Sequence, residues 1–87
     1  MIITKQLLAT NLLSYLQHKN TLSDLVNWAE NAFMDGDIQG EDPEVVRDIL
    51  ARLRLADVKA FGLFWDDCTD FMQKLGYVLK IDAGLVA

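Results

Sequence analysis

A chain of 87 residues with 52% hydrophobic side chains is too apolar to stay disordered and too short to build a second core. Its net charge of −5 disfavours a phosphate backbone or an anionic lipid surface as partner. No apolar run approaches the ~18–20 residues needed to span a bilayer, and the lone Cys68 excludes an internal disulfide.

The start Met1-Ile2-Ile3-Thr4-Lys5-Gln6 has no basic region, long apolar stretch or small-residue cleavage site, so it does not read as a signal peptide. These features together predict one soluble, cytoplasmic domain over residues 1–87.

Apolar residues at Ile3, Leu7, Leu8, Leu12, Leu13, Tyr15 and Leu16 recur at three- and four-residue steps. That period predicts a first helix over about residues 4–18, with Thr4 as its cap and Lys19 near its negative end. Thr21 is the next candidate N-cap, and Asp24 suits the positive first turn of the helix it opens. Leu22, Leu25, Val26, Trp28, Ala29, Ala32 and Phe33 carry the apolar stripe of this second helix to about Met34, where Asp35-Gly36-Asp37 reads as a turn. The interval Asp35–Asp42 holds two glycines and four acids, and is expected to be a solvated loop.

Asp42-Pro43 predicts a third helix start, with Asp42 as the capping carboxylate and Pro43 at the first helical position. Val46, Ile49, Leu50 and Leu53 give its buried face, with Glu44/Arg47 and Asp48/Arg52 as pairs along the outside. Leu55–Leu63 admits either a capped single turn ending at Gly62 or a short extended piece. Residues Trp65–Leu75 predict a last helix, with Asp66, Asp67 and Asp70 in its early turns, Lys74 at its end and Gly76 as a left-handed stop. Tyr77–Ile81 is β-prone and reads as a lone strand or an extended tail. The expected fold is mainly all-α, a compact bundle of about four helices with a short irregular or single-strand C-terminal end.

Charge is unevenly distributed along this frame. Asp24, Glu30, Asp35, Asp37, Glu41, Asp42, Glu44 and Asp48 face a single base, Arg47, so this stretch carries −7 while the remainder sums to +2. Such a surface attracts basic protein.

Catalytic and metal-binding patterns are weak by comparison. Asp35, Asp37, Gln39 and Gly40 occupy the first, third, fifth and sixth positions of a calcium-binding EF-hand loop, but the twelfth, where a bidentate Glu completes the shell, is Val46. His18 sits at a polar helix end. Cys68 lies beside Asp67, whose charge dulls a thiol as a nucleophile. One His and one Cys do not make a zinc site, and the scattered glycines fit no phosphate loop. No enzyme activity, cofactor or metal is expected.

Asp66, Asp67 and Asp70 have an ordinary reading as partners of the helix dipole and a functional one as contacts to a basic protein. Phe64 and Trp65, just before them, read either as a hydrophobic staple at the helix entry or as aromatic anchors for a partner.

Leu13-Ser14-Tyr15-Leu16, the stretch from Leu22 to Glu30, Trp65-Asp66-Asp67-Cys68 and Leu75-Gly76-Tyr77 together resemble small helical bacterial proteins of the immunity-protein kind. The resemblance rests on packing and capping positions, and it transfers no functional residue. It implies a non-enzymatic inhibitor that neutralises a bacterial toxin, often a basic nuclease.

The expected function is therefore an acidic protein-binding module of the immunity or antitoxin kind. Asp35, Asp37, Glu41, Asp42, Phe64, Trp65, Asp66, Asp67 and Asp70 would contact a basic protein partner, with neither nucleic acid nor membrane involved. The alternative is a small accessory or self-associating domain, whose acidity only keeps it soluble and which could form a homo-oligomer.

Overall fold

Side-chain caps and left-handed stops set the helix boundaries of this chain. The computed structural model describes residues 1–58 and 62–78, and within them runs β1 (Ile2–Ile3), α1 (Lys5–Leu16), α2 (Leu22–Asp35), β2 (Asp37–Ile38), α3 (Pro43–Leu53) and α4 (Trp65–Lys74). The expected mainly helical, four-helix fold is the one observed.

Thr4 opens α1 by accepting the Leu7 N–H on its hydroxyl at 3.1 Å. The helix ends in a Schellman motif: His18 takes a left-handed φ of 59°, the Lys19 N–H donates to Ser14 O at 2.9 Å, and the His18 N–H donates to Tyr15 O at 3.0 Å. Thr21 and Asp24 form a reciprocal capping box at the start of α2, with bonds of 3.0 and 3.1 Å. α4 closes as α1 does, with Gly76 at φ 92° and the Tyr77 N–H donating to Met72 O at 2.8 Å.

Two elements differ from the sequence reading. Ile3, counted in the apolar spacing of the first helix though just before its expected start, pairs in β1, and part of the supposed loop Asp35–Asp42 is strand β2. The two strands form a parallel ladder with Ile2 opposite Asp37 and Ile3 opposite Ile38. The Asp37 N–H donates to Met1 O and the Gln39 N–H to Ile3 O, both at 2.8 Å. Two-residue strands carry no readable period, and their register comes from where α1 and α2 return the chain.

Gly36 makes that return fit. A Cβ there would stand 2.4 Å from the Ala32 carbonyl oxygen and 2.7 Å from Ile3 Cγ1, so only glycine lets β1 lie this close to the end of α2.

The core gathers Ile3 from β1, Leu8 and Leu12 from α1, Leu25, Ala29 and Ala32 from α2, Val46, Ile49, Leu50 and Leu53 from α3, and Cys68, Phe71, Met72 and Leu75 from the α4 region. α2 and α3 share the most extensive contact, and Trp28 and Phe33 pack against the cluster from its margin. No charged or polar residue is buried among the described residues. The apolar stripes therefore converge on one core, as their spacing predicted.

Asp42 holds the expected position but not the expected role. Its backbone is left-handed (φ 51°, ψ 53°), its side chain makes no capping bond, and its carboxylate instead receives Lys5 Nζ at 2.9 Å. A left-handed residue turns its side chain away from the N–H groups of the next turn. Asp tolerates that conformation better than most residues, which gives a reason for Asp here other than capping.

Residues 54–57 form turns continuing from α3. The remainder of the ambiguous Leu55–Leu63 segment falls partly on residues 59–61, and most of the Tyr77–Ile81 segment on 79–81; both lie outside the described residues.

Candidate partner-binding site

The nine proposed contact residues fall into two groups. Asp35 is the last residue of α2, Asp37 lies on β2, and Glu41 and Asp42 lead into α3; all four are exposed. Phe64, Trp65 and Asp66 stand exposed at the start of α4, Asp67 is half-buried there, and Asp70 is exposed one turn on.

Arg52, in the last turn of α3, lies 3.6 Å from the Asp67 carboxylate, so α4 starts beside the end of α3. Ten residues at 1.5 Å rise separate Asp42 from Arg52, about 15 Å along the axis. The structure thus keeps the two acidic groups toward opposite ends of α3 and does not merge them into one site.

Basic residues near the acidic stretch are engaged internally. Arg54 clasps Glu30 through two bonds, Nε to Oε2 at 2.5 Å and Nη2 to Oε1 at 3.1 Å. The same guanidinium lies 4.7 Å from the centre of the Phe33 ring, and Arg47 lies 4.8 Å from it. Two cations thus share one aromatic ring, and Arg47 lies over that ring where pairing with Glu44 was expected. Lys5 bonds to Asp42, which raises its pKa, with Glu41 and Tyr77 adding smaller effects of the same sign.

The acids are left more open. Among the described residues, Asp35, Asp37, Glu41, Glu44, Asp48 and Asp66 join no ion pair, and Asp37 only accepts a 2.6 Å bond from the Gln39 amide.

At α4, Asp67 does what acids in a first turn ordinarily do. Its carboxylate accepts the Phe64 N–H at 2.9 Å, covering an otherwise unmatched donor at the helix start. Asp70 pairs with Lys74 at 2.9 Å, one turn on.

The staple reading of the aromatic pair does not hold. Phe64 is 68% exposed and Trp65 46% exposed. With Phe64 at the N-cap, the staple positions are Leu63 and Cys68, one half-buried and one buried.

His18 is exposed at its helix stop, while Cys68 is buried and its thiol is pushed up to about 11, first by burial and then by the Asp67 charge. No group of three or more His, Cys, Asp or Glu side chains is placed to hold a metal ion there. Asp35 and Asp37 do not wrap a cation loop, because β2 pairing extends the backbone between Asp37 and Gln39.

One feature escaped the sequence reading. Residues of α3 and α4 together line an open groove of about 480 Å³, with Val45, Ile49 and Phe71 as its apolar part. Asp48, Arg52, Asp67 and Lys74 form its edges. The only local signal was Val45, an apolar residue one position before the buried face of α3. The pairing of two helices distant in sequence creates the rest.

No protein family, curated protein or solved structure among those compared matches the chain. No helix of the described residues is long and apolar enough to cross a membrane.

Proposed function

We propose that this chain is a non-enzymatic, acidic protein-binding module that masks a basic protein partner, in the manner of an immunity protein or antitoxin. The observation that carries the reading is the unequal treatment of charge. Lys5, Arg47 and Arg54 are turned onto Asp42, Phe33 and Glu30, while Asp35, Asp37, Glu41, Glu44 and Asp48 face solvent unpaired among the described residues. A field of open carboxylates steers a cationic protein toward the surface and weakens as salt screens it.

Affinity capture from the host at low and high salt tests this. Wild type should retain a basic protein that salt releases and that the triple variant Asp35→Asn/Asp37→Asn/Glu41→Gln fails to retain. Capture of nothing basic, or capture indifferent to salt and to these substitutions, would remove the reading.

A second reading, self-association, draws support from exposed apolar residues at both ends of α4: Phe64 and Trp65 at its start, Tyr77 and Val78 after it. Sedimentation equilibrium with Trp65→Glu would separate the two readings. A dimer dissolved by that change favours self-association.

A further inference from the structure

We infer that α4 pairs with α4 of a second copy of this chain, through the uncharged face formed by Trp65, Thr69, Gln73, Tyr77 and Val78. This inference deepens the self-association reading above and rests on it.

Trp65, Thr69 and Gln73 follow one another at four-residue steps, so they run along one side of α4. Past the left-handed stop at Gly76, the chain brings Tyr77 and Val78 to that side. There Thr69, Gln73, Tyr77 and Val78 line an open pocket of about 220 Å³. None of the five residues is charged; Asp67, Asp70 and Lys74 lie around the helix from them, and Asp66 stands at the margin. Trp65 is 46% exposed, Tyr77 41% and Val78 81%. Exposed Trp and Tyr on a face without charge is the composition of an interface centre.

Charge selects the occupant. Each chain carries −5, so two copies repel except where neither presents a carboxylate. Spacing selects the arrangement. A two-fold axis crossing α4 near Phe71 runs the helices antiparallel, with Trp65 opposite Tyr77 of the second copy and Thr69 opposite Gln73 of the second copy. Each indole then enters the pocket beside Tyr77 and Val78 of the other chain. A cavity of about 150 Å³ already accepts a benzene ring, so about 220 Å³ leaves room for it. At the centre, the Thr69 hydroxyl donates to Trp65 O at 2.9 Å, and its oxygen can accept the Gln73 amide of the second copy. Five side chains are few beside the ~20–30 residues a side of a standard interface, so the dimer is a weak one.

Sedimentation equilibrium of the full chain, loaded up to about 1 mM, reads the association. Wild type should show a monomer–dimer equilibrium that tightens as salt rises, because salt screens the repulsion between two −5 chains. Trp65→Ala, Gln73→Lys and Thr69→Glu should each weaken it by about ten-fold or more. An equimolar mixture of Gln73→Lys and Thr69→Glu chains should restore it, since antiparallel pairing sets the new cation against the new carboxylate. Circular dichroism and unfolding midpoints confirm that each variant folds. Asp35→Asn/Asp37→Asn should dimerise at least as well as wild type.

A dimer indifferent to the three α4 variants, or one that mixing does not restore, overturns the α4 pairing and leaves self-association standing. A dimer that salt dissolves is held by charge, and overturns the pairing in the same way. A monomer at every concentration and salt removes both the pairing and the self-association reading.

Discussion

Asp42 distinguishes a capping residue from a conformational one, and a small substitution series decides between them. A capping carboxylate can be replaced by Thr with little loss, whereas Ala costs about 0.5–2 kcal/mol. The backbone at φ 51° makes the opposite demand. A β-branched residue held in the left-handed region is penalised by about 1–2 kcal/mol, while Gly is at ease there.

For a domain this small, stability falls by about 1 kcal/mol per molar urea. Asp42→Thr should therefore lower the unfolding midpoint by about 1–2 M, read from tryptophan fluorescence. Asp42→Asn and Asp42→Gly should stay close to wild type at high salt, where the exposed Lys5 pair is screened. If Asp42→Thr unfolds with the wild type, Asp42 acts as a cap and the conformational argument is wrong.

Gly36→Ala should destabilise the fold by about 1–3 kcal/mol, because the new methyl would meet both the Ala32 carbonyl oxygen and the Ile3 side chain; an unchanged urea midpoint would show that β1 does not lie against the end of α2. Cys68 should resist alkylation at neutral pH in the folded protein and react readily in urea, since its folded pKa is raised from 9.0 to about 11. A raised thiol pKa favours the folded state fully below pH 9.0, and that advantage disappears as pH climbs toward 11, so the unfolding midpoint should fall over that window in wild type more than in Cys68→Ala.

The helices were legible because their signals are local. Thr4, Thr21, Pro43 and Gly76 sit where capping chemistry places them, and the apolar stripes of α2 and α3 name the residues that become the core. What was hidden depends on residues distant in sequence. The pairing of Ile3 with Ile38 requires α1 and α2 to fold back first, and no two-residue strand announces its partner.

Asp42 was misread for a subtler reason. Asp is favoured both as an N-cap and in the left-handed region, so the Asp-Pro pair could not say which preference was in use.

The candidate surface shows the same division. Sequence alone located the carboxylates but could not tell which ones the fold would occupy. Glu30, Asp42, Asp67 and Asp70 each take a cation within the molecule, and Asp67 also serves a backbone donor. Each of those four therefore meets an approaching cation with its charge already partly matched, and Glu30 and Asp67 also tie separate elements together.

Glu41, Glu44, Asp48 and Asp66 have no such duty among the described residues and stand exposed. Solvated carboxylates of this kind contribute little to stability and retain their full field toward an approaching cation. They divide in space as well: Glu41 lies before α3, Glu44 and Asp48 lie on α3 with Asp48 at the groove, and Asp66 lies in the first turn of α4. A partner engaging only the groove would feel Asp48, which lines it, more strongly than Asp35, which lies farther off at the end of α2. Substitutions graded along that distance would therefore map the approach of a basic partner without disturbing the fold that presents the acids.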